Sequence, residues 1–287
     1  MDMKWLRTFI ISAKYENFRE ASEELFLTQP AVTKHIKRLE ENLNILLFER
    51  IGNKVVLTPA GHKFLSYARE LITKYEQGMI DFESWKQGFN RKLVIAVAPQ
   101  IASSFLPALL RQFIEKNPDI EVIINVLNSY DIGNEISGGK AEVGLSRILP
   151  VQTTIKAETV HKESVILVGP NEPGLNEQIT LQKYRLITHN HPDYWAHLLH
   201  DIKRHYPMVK TMKVNQVEVT KRFIEEGLGV SYLPLTVVKE EIGMKKLVEI
   251  KPDRIIPTTS STYLLTKVET EEVLIFTKFL KATISSF

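Results

Sequence analysis

Asn17-Phe18-Arg19-Glu20-Ala21-Ser22-Glu23-Glu24-Leu25-Phe26-Leu27-Thr28-Gln29-Pro30-Ala31-Val32-Thr33-Lys34-His35-Ile36-Lys37-Arg38-Leu39 is the stretch whose reading decides the fold. Asn17 is a good N-cap, and Glu20 three residues later completes a capping box. Phe18, Ala21, Ser22 and Leu25 then share one helix face. Leu27 closes a turn. Thr28 caps a further helix, with Pro30 in its first turn, where a missing N–H costs nothing. Ala31, Val32, Ile36 and Leu39 face inward from this helix, leaving Gln29, Thr33, Lys34 and Lys37 outside. Upstream, Trp5, Leu6, Phe9, Ile10 and Ala13 recur at helical spacing, so residues 4 to 41 read as three consecutive helices.

Two short helices joined tightly, with small Ala21 where they cross, describe a helix-turn-helix, whose second helix enters the DNA major groove N-terminus first. Gln29 suits bidentate contact with adenine, Lys34 contact with guanine or phosphate, and Thr33 either. Thr28 and Pro30 open the helix at the entering end; Lys37 and Arg38 hold the phosphate backbone. A plain three-helix core with a solvated charged face is the alternative. Against it stands the next segment, Leu46 to Thr58, which reads as a β-hairpin wing turning at Gly52-Asn53. Arg50 and Lys54 bracket its tip and would reach flanking phosphates or the minor groove.

Net charge of +3 does not by itself announce DNA binding. Residues 1–60 hold nine Lys/Arg against eight Asp/Glu, so this part of the chain is nearly neutral. The distribution is more telling: Lys34, His35, Lys37 and Arg38 sit in a stretch without an acid. At 287 residues, with 44% hydrophobic and 25% charged residues, the chain is of ordinary soluble composition and long enough for two or three domains. No cysteine is present, which excludes disulfides, thiolate catalysis and thiolate metal sites. No apolar run approaches the roughly 20 residues of a membrane span and no signal peptide is visible. The expected location is the cytoplasm.

Phe18-x-x-Ala21-Ser22-x-x-Leu25, Thr28-Gln29-Pro30-Ala31-Val32-Thr33, Ile36-x-x-Leu39-Glu40, Leu47-Phe48-Glu49-Arg50 and Leu57-Thr58-Pro59-Ala60-Gly61 together resemble the LysR-type transcriptional regulators. The match covers the whole DNA-binding segment without insertion. One departure is Asn44, where the family usually has glycine after the third helix; Asn is the next best residue for a left-handed cap.

Pro59 opens a long helix to about Lys86 in which Leu65, Ala68, Ile72, Tyr75, Met79 and Phe82 alternate three and four apart, a coiled-coil seam. Such a stripe needs either a partner subunit or its own effector domain to pack on. The resemblance implies a dimer that presents two recognition helices to a palindromic operator, as a homodimer or homotetramer. Beyond Gln87 to Asn90, strands 92–98, 120–126, 141–146, 165–168, 184–188, 230–233 and 261–267 alternate with helices 103–117, 130–137, 194–206, 217–226 and 271–284. That order indicates parallel α/β units. The expected architecture is an α/β chain with an N-terminal all-α winged helix-turn-helix (1–58), a linker and dimerisation helix (59–87) and an effector-binding domain (88–287). The effector part divides into two α/β lobes of periplasmic-binding-protein type, one about 88–163 and 264–287, the other about 164–263.

In open α/β sheets ligands lie beyond the carboxyl ends of strands. Here those ends are Pro99 to Ser104 (with Gln100, Ile101 and Ser103), Asn128-Ser129, Ser146-Arg147, Thr188 to His191 and Asn215-Gln216. Arg147 would either clamp a carboxylate or pair with an acid. The resemblance implies ligand-facing positions at Gln100, Ser129 and Arg147, with His189, Asn190 and Gln216 from the other lobe. A small anionic metabolite, a carboxylate, is the expected effector; no cofactor and no metal site are expected. His189-x-His191 with His197 and His200 lacks a cysteine or a carboxylate at ligand spacing and is read as cleft lining or solvated surface. Together with Lys14 to Arg19 and Thr220 to Val230, the block Thr188 to Trp195 resembles the branch of the family that controls citrate synthase expression in bacilli. No nucleophile elbow, phosphate loop or dinucleotide fingerprint supports an enzyme, and Gly227-Leu228-Gly229 lacks the third glycine. A free-standing solute-binding protein would leave the first 87 residues without a purpose.

Overall fold

A computed structural model describes residues 1–51 and 54–284, which form two compact units, Met1–Gly88 and Phe89–Phe287. The first unit begins with α1 (Met3–Tyr15), α2 (Phe18–Glu24) and α3 (Gln29–Leu43). Each start is fixed locally. Asn17 Oδ1 accepts from the amides of Arg19 (2.9 Å) and Glu20 (3.5 Å), and Thr28 Oγ1 accepts from Ala31 (3.4 Å). Strands β1 (Phe48–Ile51) and β2 (Lys54–Leu57) pair antiparallel as the wing, and α4 (Pro59–Lys86) follows. The turn assigned to Gly52-Asn53 lies outside the described residues.

Leu6, Phe9, Phe18, Val32, Ile36 and Leu39 meet Leu47, Phe48 and Val55 in one core. Phe48 stands edge-on to both Phe9 and Phe18, with centroids 5.5 and 5.4 Å apart. Fully burying one such side chain contributes about 1.5–3 kcal/mol, so the wing is held by the three-helix core itself. Glu40, outside that core by its residue type, turns its carboxylate to the amides of Leu47 (2.7 Å) and Phe48 (3.1 Å). Those contacts set the angle at which the wing leaves α3. Gly61 permits α4 to start here: a Cβ would lie 2.2 Å from the Leu47 carbonyl oxygen.

The stripe on α4 departs from the expected intersubunit seam. Ala68 and Ile72 are buried and Leu65 is half-buried, all three packed in cis on the winged-helix core. Only Tyr75, Met79 and Phe82 stay exposed, and Tyr67, Leu71, Ile80 and Trp85 join them. The reason is geometric: the first turns of α4 lie against α1, so the apolar period serves the unit's own core before any partner.

In the second unit β3 (Arg91–Val97), β4 (Ile120–Val126) and β5 (Val143–Ser146) form a parallel sheet, β3 in the middle. Helices α5 (Pro99–Ala102), α6 (Leu106–Lys116) and α7 (Ser129–Ser137) connect these strands. Next comes β6 (Lys156–Pro170), a 15-residue strand that belongs to both lobes. Its first half pairs antiparallel with β11 (Thr259–Thr266), which lies antiparallel beside β5. Its second half pairs with β9 (Ser231–Pro234) and β10 (Leu247–Ile250) in the other lobe. That lobe also holds α8 (Glu177–Lys183), β7 (Leu186–Thr188), α9 (Trp195–His205), β8 (Thr211–Lys213), α10 (Val217–Glu225) and α11 (Leu235–Gly243). The chain ends on α12 (Glu271–Thr283), whose Phe276 and Leu280 pack into the first lobe.

Several elements are absent from the sequence expectation: α5, α8, α11, β8, β10 and the first half of β6. The helix expected over 103–117 starts at Leu106 instead, because α5 occupies the preceding turn. Two strands, β6 and β11, therefore join the lobes, and their ladder is irregular between Thr262 and Tyr263.

Candidate functional site: a nucleic-acid face and a ligand cleft

The outward face of α3 is open. Gln29, Pro30, Thr33, Lys34, Lys37 and Arg38 are exposed, as is Thr28 before them. Gln29 and Lys34 make no side-chain hydrogen bond or ion pair among the described residues and keep their full donor and acceptor capacity. The neighbours are partly committed. Thr33 donates to the Gln29 carbonyl (3.1 Å), Lys37 stands 3.8 Å from Glu41, and Arg38 lies over the Trp5 ring at 5.8 Å. Thr28 spends its hydroxyl on the helix cap. Beneath this face Thr8 Oγ1 gives its proton to the Lys4 carbonyl (2.8 Å) and so accepts from His35 Nδ1 (2.9 Å), which pins α3 to α1. Arg50 is exposed on the wing; the Lys54 side chain lies outside the described residues.

Between the lobes of the second unit lies a cavity of about 520 Å³. Gln100, Ser129 and Arg147 line it from one lobe, and His189, Asn190 and Gln216 from the other. Asn128, Asn215, Tyr130, Asp131, His191, Asp193 and Trp195 contribute as well. Helices α7, α9 and α10 all begin at this wall, and none has a side chain capping its first amides. Uncapped helix starts present N–H groups and the positive end of the helix dipole, which favours an anion.

Arg147 is wholly buried. Its Nη1 donates to Glu163 (2.9 Å), Ser260 (3.3 Å) and Thr262 (3.1 Å), while Nε and Nη2, also buried, have no partner. Of the two outcomes open to Arg147, the pairing with an acid is the one present. One nitrogen pairs with an acid, and the Nε–Nη2 edge keeps the fork geometry that a carboxylate fits bidentately. Burial pulls the guanidinium below its ordinary value and Glu163 pulls it back. Glu163 in turn accepts from the Thr236 amide (2.7 Å) and hydroxyl (3.0 Å), so the ion pair ties β5 to both crossing strands and to the start of α11.

His191 sits beside this pair. The Asp193 amide donates to its Nδ1 (3.1 Å), which leaves the ring proton on Nε2, directed at Ser260 Oγ (2.9 Å). Burial, then the Arg147 charge, push its pKa well below the usual histidine value, so the ring is neutral. Tyr194 stacks on it at 4.2 Å and donates to the Tyr232 carbonyl (2.8 Å); burial raises that phenol well above its ordinary range.

The remaining expected effector residues are distributed unevenly. Gln100 is buried, donates through Nε2 to the Asn190 carbonyl across the cleft, and has an unpartnered Oε1. Asn190 lines the cavity, but its amide is consumed: Nδ2 donates to Ser231 (2.9 Å) and Thr220 (3.3 Å), and Oδ1 accepts from Trp195 (2.8 Å). Ile101 is in the core of the first lobe, off the cavity wall. Ser103 is exposed and back-bonds to Pro99. Thr188 is buried below the wall, against His189 Nδ1 (2.7 Å). His189 itself adopts φ 69°, a left-handed conformation that costs a non-glycine residue energy and recurs at ligand sites. Glu163, Ser260 and Thr262 are buried but escaped the sequence reading, because a polar residue in a strand carries no mark of a distant buried partner. Among the described residues no three potential metal ligands come together, and no helix is long and apolar enough to cross a membrane.

Comparison with known proteins agrees with this layout. The family described as "Bacterial regulatory helix-turn-helix protein, lysR family" matches residues 3–62, and "LysR substrate binding domain" matches residues 86–283. The Bacillus subtilis "HTH-type transcriptional regulator CitR" is 41% identical over 256 residues, 87% of this chain and 88% of that protein. A second B. subtilis protein, the uncharacterized regulator YxjO, is 38% identical over 275 residues, 95% of this chain and 94% of its own. The fold matches Vibrio fischeri DarR, solved in complex with DNA, with a TM-score of 0.68 at 20% identity, over 98% of both chains. A winged helix-turn-helix with an exposed α3 face, a two-lobed domain with a cleft between its lobes, and family matches over both parts lead to one conclusion: the chain belongs to the LysR family of DNA-binding transcriptional regulators.

Proposed function

We propose that this regulator works in the cytoplasm as a dimer or dimer of dimers, binds a palindromic operator through paired α3 helices, and senses a small hydroxycarboxylate in the interlobe cleft. It is a binding protein and not an enzyme. Gln29 and Lys34 read bases, Thr33 supports them, Thr28 and Pro30 open the helix at the entering end, and Lys37, Arg38, Arg50 and Lys54 hold the phosphate backbone. Tyr75, Met79 and Phe82, with the exposed apolar residues beside them, form the contact between subunits, while Leu65, Ala68 and Ile72 support the helix from within.

The observation that carries the effector reading is Arg147, a residue of the cavity lining whose Nε and Nη2 are buried and have no partner. It suits a carboxylate; the unpartnered Gln100 Oε1 suits a hydroxyl donor on the same molecule; the helix starts offset a second negative charge. Citrate has this chemistry, and control of citrate synthase expression is the role of the branch that Thr188 to Trp195 resembles. CitR, at 41% identity, supports the same direction. Ligand closure of the lobes then shifts the oligomer between two arrangements of its DNA-binding units. Thermal shift of the full-length protein against small di- and tricarboxylates is the test. Citrate should raise the melting temperature, and its trimethyl ester, without negative charge, should not. No shift from any carboxylate at millimolar concentration sinks the effector reading.

A further inference from the structure

Among the described residues, five helices end in the same hydrogen-bond motif, in which a residue just past the last turn is left-handed while two amides bond back into that turn. The left-handed residue is Gly139 after α7, Gly227 after α10, Asn44 after α3, Lys245 after α11 and Phe26 after α2. At Phe26 the geometry is regular: its amide donates to Glu23 O (3.2 Å) and the Leu27 amide donates to Ser22 O (2.9 Å). Glycine and asparagine tolerate this conformation, and lysine solvates its charge. Phenylalanine has neither advantage. It is a bulky residue at φ 54° and 96% exposed. Both terms that folding offers, backbone preference and apolar burial, oppose Phe26 in the free chain.

Phe26 stands two residues before Thr28, the N-cap of α3, in an unbroken exposed run from Phe26 to Pro30. The two acids just before it are engaged, Glu23 with Arg19 (3.7 Å) and Glu24 with Lys14 (3.6 Å). Next to it in the chain is Leu27, 37% exposed, and the exposed residues that open α3 beyond it include hydroxyls, an amide and a cation. A single ring among hydrogen-bonding groups fits a mixed surface with isolated methyls; thymine presents one such methyl in the major groove. We propose that Phe26 is a specificity residue of the DNA interface, packing on a thymine C5-methyl next to the bases read by α3.

The proposal rests on α3 being the recognition helix, so the test separates the two. Full-length protein selects its own duplex from a random-sequence pool, and affinity for that duplex is measured for wild type, Phe26→Asn and the double variant Gln29→Ala/Lys34→Ala. Asn favours the left-handed cap, so Phe26→Asn should melt at or above the wild-type temperature. Its affinity should fall about tenfold, the scale of one lost base contact, with an unchanged salt slope because no phosphate contact is removed. Replacing thymines of the duplex one at a time by deoxyuridine, which lacks only the methyl, should weaken wild type at one position and leave Phe26→Asn indifferent there. Undiminished binding by Phe26→Asn overturns the proposal, as does a loss that adds to every deoxyuridine substitution. Normal DNA binding with lost transcription control overturns it too, since the ring then docks on a protein. If the Gln29/Lys34 variant binds as wild type, the recognition-helix reading fails and the thymine contact with it.

Discussion

The outward face of α3 and the wall of the cleft use the same residue types, amides, hydroxyls and cations, in opposite physical states. On α3, Gln29 and Lys34 are exposed and unpaired, so residue type alone states what they can contact. In the cleft, Asn190 and Arg147 are buried, and their neighbours decide which atoms remain available. An exposed polar group loses little by waiting for its partner, whereas a buried one costs about 1–3 kcal/mol if left unpaired. The reading face is therefore a list of side chains. In the cleft wall the Asn190 amide has its hydrogen bonds filled, whereas Arg147 has two buried nitrogens without a partner.

The sharpest way to break this contrast is at the Arg147–Glu163 pair. Arg147→Ala leaves Glu163 buried without its counter-charge and should destabilise the second unit by about 3–5 kcal/mol, read from denaturant unfolding. Replacing both, Arg147→Met with Glu163→Leu, should recover most of that loss and still show no carboxylate-induced shift. A double variant as unstable as the single one means the pair is not what ties the crossing strands together. On the exposed side, Gln29→Ala/Lys34→Ala should cost about 2–4 kcal/mol of operator affinity, by two lost base contacts. Its melting temperature should stay at the wild-type value; a drop would show that these residues support the fold and would erase the contrast.

Titration gives the smallest effect. The folded pKa of His191 is depressed well below 6.5 by burial and by Arg147, with Glu163 beyond it. The unfolded ring takes up its proton near its ordinary value, so the stability linked to His191 is complete above about pH 6.5 and declines as pH falls toward the folded pKa. The slope contributed by this one group is up to roughly 1.4 kcal/mol per pH unit. Urea midpoints at pH 7.5 and 5.5 should diverge for wild type and converge for His191→Gln. Parallel behaviour of the two proteins means that the ring is charged in the folded chain.

Legibility followed the same division. Asn17 and Thr28 announced α2 and α3 because caps act over three residues, and the inner faces of both helices obey one period. The first half of β6 was illegible: Lys156 to Ser164 is mostly polar and becomes a strand only by pairing with β11, about a hundred residues on. On α4 the period was legible and its partner was not, since the same apolar spacing serves a neighbouring helix or a second subunit equally well.

From the order of its residues alone, the chain announced its helix starts, the inner faces of its three-helix core, the exposed face of α3 and the alternation that makes two α/β lobes; all of these are carried by local spacing and caps. Folding in three dimensions decided which polar side chains of the cleft are spent and which are free, how α4 divides its apolar stripe, and that Glu163 lies under Arg147. Those outcomes depend on desolvation and on groups far apart in the chain, and no local pattern encodes them.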